Sequence, residues 1–159
     1  MRGRFAIFLF VALLLVTFRA DAQTITSVEK GLTLVADVPM PGPPARFDYQ
    51  SLDTSSGRLY IAHMNANQLI VFVTKTRKVV ASLDGFNGVH GVFATQEVHR
   101  LSASMAGSHQ VAAVDTQTLR IVIVGTAGPI TCPDGLANAS KQKEVFISDE
   151  HGGVDTVIS

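Results

Sequence analysis

The sequence is short of cysteine, tryptophan and net charge: it has one cysteine, no tryptophan, two tyrosines, and 13 Lys+Arg against 13 Asp+Glu. One cysteine excludes an intramolecular disulfide framework and a Cys-rich zinc module. A balanced charge gives no support to non-specific nucleic-acid binding. The chain contains no His-Glu-x-x-His, no CxxC and no phosphate-binding glycine loop. After Gln23 no amphipathic helical pattern stands out. What is present is a chain of 159 residues that is 47% hydrophobic. That length suits one ordinary domain, and that apolar content excludes a disordered polyampholyte.

The averages conceal a distinct N-terminus. Arg2 and Arg4 precede an apolar run from Phe5 to Phe18, broken only by Thr17, and Ala20-Asp21-Ala22 follows. A positive start, a short hydrophobic segment and a small-x-small site form the pattern of a secretory signal. The run of 14 residues, wound as a helix, would span about 21 Å against a hydrocarbon core of about 30 Å. A signal peptide is therefore expected at 1–22, with an uncleaved anchor as the competing reading. Cleavage after Ala22 removes three of the basic residues and one acidic residue, leaving 10 against 12 and a net charge of −2 over 137 residues. Cys132 would then be an unpaired thiol in an oxidising compartment, and Pro133 and Asp134 beside it offer nothing to activate it.

Beyond the signal, short runs rich in Val, Ile, Leu and Phe alternate with turn residues, which predicts an all-β fold. Strands are expected at Arg58–His63, Gln68–Val73 and Lys78–Leu83, after a shorter run around Phe47-Asp48-Tyr49. The pattern then repeats. Gln68–Thr76 aligns with Gln110–Thr118 at an offset of 42, and Leu101–Ser104 aligns with Val145–Ser148 at an offset of 44. Four short strands at a period in the low forties predict β-propeller blades, with an ordinary meander or sandwich as the alternative.

The repeats resemble the YVTN-type, or YncE-like, β-propeller family. Gly57-Arg58-Leu59-Tyr60-Ile61-Ala62-His63 is similar to its tyrosine strand, with His63 in place of Asn. Val114-Asp115-Thr116 is similar to its Ile-Asp-Thr element, and Lys75-Thr76-Arg77-Lys78-Val79-Val80 to its turn and last strand. Leu101-Ser102-Ala103-Ser104 and Val73 depart from the pattern. The resemblance covers about residues 32–159 and implies a seven-bladed ring, which would need roughly 300 residues. The chain is accordingly expected to be the N-terminal portion of a longer propeller. Its expected organisation is a signal at 1–22, a strand (Leu32–Val38) and stiff Pro-rich connector (Pro39–Pro44) within 23–44, and a partial propeller at 45–159. Blades are expected at about 45–84, 88–125 and 132–159. Open sheet edges in so short an arc would favour association.

The two offsets also identify equivalent positions around the ring axis. Asp48, His90 and Asp134 are equivalent and should start the innermost strand of each blade. His63, Met105 and Asp149 form a second set, followed directly by Glu150 and His151. Asp48, His90, Asp134, His63, Asp149, Glu150 and His151 are thus the candidate ligand-binding residues at a channel mouth. Imidazole and carboxylate groups converging there can hold a divalent cation or move a proton; a solvated polar funnel is the alternative. No catalytic residue and no definite cofactor emerges. Ser148, Asp149 and His151 are too close in sequence for a catalytic relay, Gly152-Gly153 reads as a hairpin turn, and the sequon Asn138-Ala139-Ser140 is expected in a turn and unmodified.

The leading expectation is an exported binding or scaffold module, periplasmic or extracellular in a bacterium, with an unidentified protein or small-molecule ligand. A metal-dependent, lactonase-like propeller hydrolase is the second reading. The resemblance also implies a DNA-binding propeller as a third, against which the acidic balance counts.

Overall fold

The computed structural model describes residues 31–126 and 128–159. The β unit, Ala36–Ser159, is built from eleven strands in three antiparallel meanders. The first sheet joins β1 (Gln50–Asp53), β2 (Arg58–His63), β3 (Gln68–Val73) and β4 (Lys78–Asp84) in chain order. The second joins β5 (Val89–Thr95), β6 (Arg100–Met105), β7 (Gln110–Asp115) and β8 (Ile121–Gly125) in the same way. The third holds β9 (Pro133–Ala139), β10 (Glu144–Asp149) and β11 (Val154–Ile158). These are propeller blades, and the all-β reading holds. Within each sheet, consecutive strands are joined by short turns and neighbour one another, as a meander requires.

The repeat extends to the backbone angles. Left-handed residues fall at Gly57, His99 and Lys143 before the second strand of each blade, and at Asn67, His109 and Gly153 before the third. Each triple follows the offsets of 42 and 44. Glycine takes this conformation freely and Asn tolerates it, whereas His and Lys are held there by the turn against a local cost.

Alternation along β2 and β6 directs Tyr60, Ala62, Leu101, Ala103 and Met105 into an apolar layer with Leu69, Val71, Val89 and Val114. A smaller layer of Val111, Ile130 and Ile147, flanked by Leu136 and Val145, packs blade two against blade three. The outermost strand β8 is different: Ile121, Val122, Ile123 and Val124 are all exposed.

Residues 32–38, expected as a strand, pair with none of the described strands. Two local expectations are corrected. The Pro-rich connector bends at Pro41–Pro44, turning at Gly42 (φ 87°), and is not extended throughout. Asn138 lies in β9 and donates from Nδ2 to Thr95 Oγ1 of blade two, so the sequon sits in a strand. The signal expected at 1–22 lies outside the described residues.

Candidate functional site

Inner strands of successive blades approach one another closely, and this places the first set of site residues. Tyr49 N–H donates to the His90 carbonyl across blades one and two (3.3 Å). Asp48 lies two residues before β1, yet its N–H still donates to the Ala62 carbonyl (2.9 Å), so it keeps the inner-strand position. Between blades two and three, Gly91 faces the backbone of Asp134, and a side chain there would run into the Asp134 carbonyl oxygen. Ser104 Oγ locks the crossing: it accepts from Gly91 N–H (2.7 Å) and donates to the Asp134 carbonyl. Blade three repeats half of the device, with Gly135 N–H donating to Ser148 Oγ (2.9 Å).

The consequence is that Asp48, His90 and Asp134, from three blades, come together. His90 Nδ1 lies 3.1 Å from Asp134 Oδ1 and 3.7 Å from Asp48 Oδ2. One ligand atom from each of the three lies within 4.8 Å of the other two. Their side chains are 13–18% exposed, so the group is sheltered yet open to a small ligand. Arg46 pairs with Asp48 from the solvent side (3.3 Å).

The second set does not gather in the same way. His63 is buried and stacked on Phe47, with ring centroids 4.2 Å apart, and neither ring nitrogen has a hydrogen-bond partner among the described residues. Met105 is buried in the apolar layer. Asp149 is buried and committed to loop structure. Its carboxylate accepts from Thr131 N–H (2.8 Å), Thr131 Oγ1 (2.8 Å), Cys132 N–H (2.8 Å) and Gly152 N–H (3.0 Å). These bonds, led by the Thr131 amide, hold its pKa well below the ordinary carboxylate value. Gly152 is needed for this, since a side chain there would collide with the Asp149 carboxylate.

Glu150 and His151, both exposed, sit instead beside Cys132. Burial, followed by the charges of Glu150, Asp134 and Asp149, pushes the Cys132 thiol up. Sequence reasoning missed Cys132 as a neighbour of these residues. They are separated by 18 positions, and the shared loop that joins them is visible only once Asp149 is seen to clamp Thr131 and Cys132.

No protein-family profile matches the sequence, and no curated protein does. Among solved structures, the chain is similar to Kuenenia stuttgartiensis hydrazine synthase (15% identity, TM-score 0.60), covering 80% of this chain and 39% of that one. It is similar to Staphylococcus aureus virginiamycin B lyase, solved as a catalytically inactive variant with quinupristin (10% identity, TM-score 0.64), covering 76% and 40%. It is also similar to Saccharomyces cerevisiae Sqt1 (14% identity, TM-score 0.58), covering 78% and 35%. These are propeller-type proteins, and the likeness defines the fold as a β-propeller module. The chain spans about two fifths of the length of the structures it matches. No helix among the described residues is long and apolar enough to cross a membrane.

Proposed function

We propose that the protein is an exported β-propeller binding module of the YVTN type, whose mouth site takes a small polar ligand through a divalent cation. The observation that carries this reading is the convergence of Asp48, His90 and Asp134, one from each blade, at 3.1 and 3.7 Å about the His90 Nδ1. One imidazole and two carboxylates suit a borderline or hard divalent ion and leave coordination positions for a ligand. The export reading is supported by the Arg2 to Ala22 pattern, and the family reading by the Gly57–His63 and Val114–Thr116 motifs. Titration of the full chain with Mn2+ is the test. Saturable binding that is lost in His90→Ala and in Asp134→Ala, with folding intact by circular dichroism, is expected. Binding indifferent to both substitutions would remove the proposal.

The same donor set supports a second reading, a metal-dependent hydrolase, because a cation so held can lower the pKa of a bound water. Lactone hydrolysis by the Mn2+-loaded chain that disappears in His90→Ala would favour it over simple binding. Virginiamycin B lyase is an example of a propeller-type enzyme holding a ligand, and that example supports only the capacity of the architecture.

A further inference from the structure

We propose that Cys132, Glu150 and His151 form a second metal site, separate from the inner-strand triad, that takes a zinc-class ion through one sulfur, one oxygen and one nitrogen. The inference does not depend on the Asp48–His90–Asp134 triad and shares no residue with it.

Three observations point to a cation there. The first is geometric: one ligand atom from each of the three residues lies within 4.8 Å of the other two, with Cys132 Sγ 4.0 Å from Glu150 Oε2. Ligand atoms around a tetrahedral zinc with bonds of 2.0–2.3 Å stand about 3.3–3.8 Å apart, so rotation of the exposed Glu150 and His151 side chains by roughly an ångström closes the set. The second is the state of the thiol. Cys132 is 8% exposed, and its thiol donates to the Glu150 carboxylate, itself a member of the set.

The third is electrostatic. Glu150 and Asp149 lie in this loop, and neither has a Lys or Arg within ion-pair distance among the described residues. A divalent cation would balance the carboxylate charge that this loop leaves without a basic partner. Binding would displace the Cys132 proton to solvent, leaving the thiolate, the neutral imidazole and the carboxylate as ligands.

The frame around the three residues is already set. Asp149 holds Thr131 and Cys132 on one side and Gly152 on the other, and Glu150 N–H donates to the Cys132 carbonyl (3.1 Å). The bend that carries Cys132 and the turn that carries Glu150 and His151 are thus tied by one carboxylate outside the set, the role of an outer support. Zinc is favoured over calcium or magnesium because a thiolate and an imidazole are poor ligands for those ions. Three protein ligands leave a fourth position for water or a ligand.

Co2+ added to the reduced full chain tests the site, because a cobalt–thiolate bond gives a charge-transfer absorption in the near ultraviolet that oxygen and nitrogen ligands do not. We expect one equivalent of Co2+ to produce the band and Zn2+ to displace it. Cys132→Ser should abolish the band. His151→Ala and Glu150→Gln, at exposed positions that leave the fold intact, should each weaken binding about tenfold or more. His90→Ala should leave the band unchanged. Absence of the band in the wild-type chain overturns the proposal. So does a band untouched by His151→Ala and Glu150→Gln, which would mean cobalt on a bare thiol, or a band lost in His90→Ala, which would mean one shared site at the mouth.

Discussion

The carbonyl oxygen of Asp134 occupies the space that a β-carbon on Gly91 would need. The bare α-carbon allows the inner strands of blades two and three to meet, and their meeting brings His90 Nδ1 to 3.1 Å from Asp134 Oδ1. Packing and site geometry are therefore one feature.

Gly91→Ala is expected to force the two strands apart. Overpacking of this kind costs about 1–3 kcal/mol, and it would also separate His90 from Asp134. The equivalent Gly135 is less confined, since a β-carbon there would meet Ser148 Oγ at 3.2 Å and Tyr49 Oη at 3.8 Å. Thermal unfolding should rank the wild type first, Gly135→Ala next and Gly91→Ala last, and Mn2+ affinity should fall only in Gly91→Ala. Equal melting temperatures for the two variants would contradict the account.

Much of this geometry was legible in the residue numbers. Offsets of 42 and 44 align β2, β6 and β10, and they align Asp48, His90 and Asp134 before any coordinate is known. Periodic sequence reports blade equivalence because every blade must satisfy the same packing against its neighbours. Loop chemistry was not legible in the same way. His99 and Lys143 occupy left-handed positions where glycine stands only once, at Gly57. The apolar alternation of Leu32, Leu34 and Val38 reads as a strand, yet a strand exists only where another chain segment completes its hydrogen bonds. Asp149 read as a channel residue because its offset matched His63. Its carboxylate instead serves Thr131, Cys132 and Gly152, a use that depends on a loop the repeat does not share.

Acid lability should follow from the turn aspartates. Burial raises the pKa of Asp53, but hydrogen bonds from Ser55 and Ser56 outweigh it and hold the group below its ordinary value. The Thr118 amide does the same for Asp115, with help from Thr118 Oγ1, Gln117 N–H and Arg100. A carboxylate depressed in the fold binds its proton more tightly when unfolded. Its stabilisation is complete above the ordinary Asp value and is lost as pH falls through that value toward the folded one. Urea midpoints should therefore decline below about pH 4. In the Asp53→Asn, Asp115→Asn double variant, stability at pH 7 should be lower and the decline shallower. Parallel pH profiles for the two proteins would remove these groups as the cause.

His63 offers the opposite opportunity. It is 1% exposed with two unpartnered ring nitrogens, and the buried Gln68 Oε1 near Gly42 also lacks a partner. Burying polar groups without hydrogen bonds costs about 1–3 kcal/mol, only part of which stacking on Phe47 returns. Met105 fills the equivalent position of blade two inside the apolar layer. His63→Met should accordingly stabilise the chain by about 1 kcal/mol, because a flexible apolar side chain of similar length removes the unpaired nitrogens and keeps the volume. His63→Ala should destabilise it by leaving a cavity. Chemical unfolding of the three proteins at one pH decides the matter. A less stable His63→Met variant would mean that the imidazole is held by a contact worth more than its desolvation.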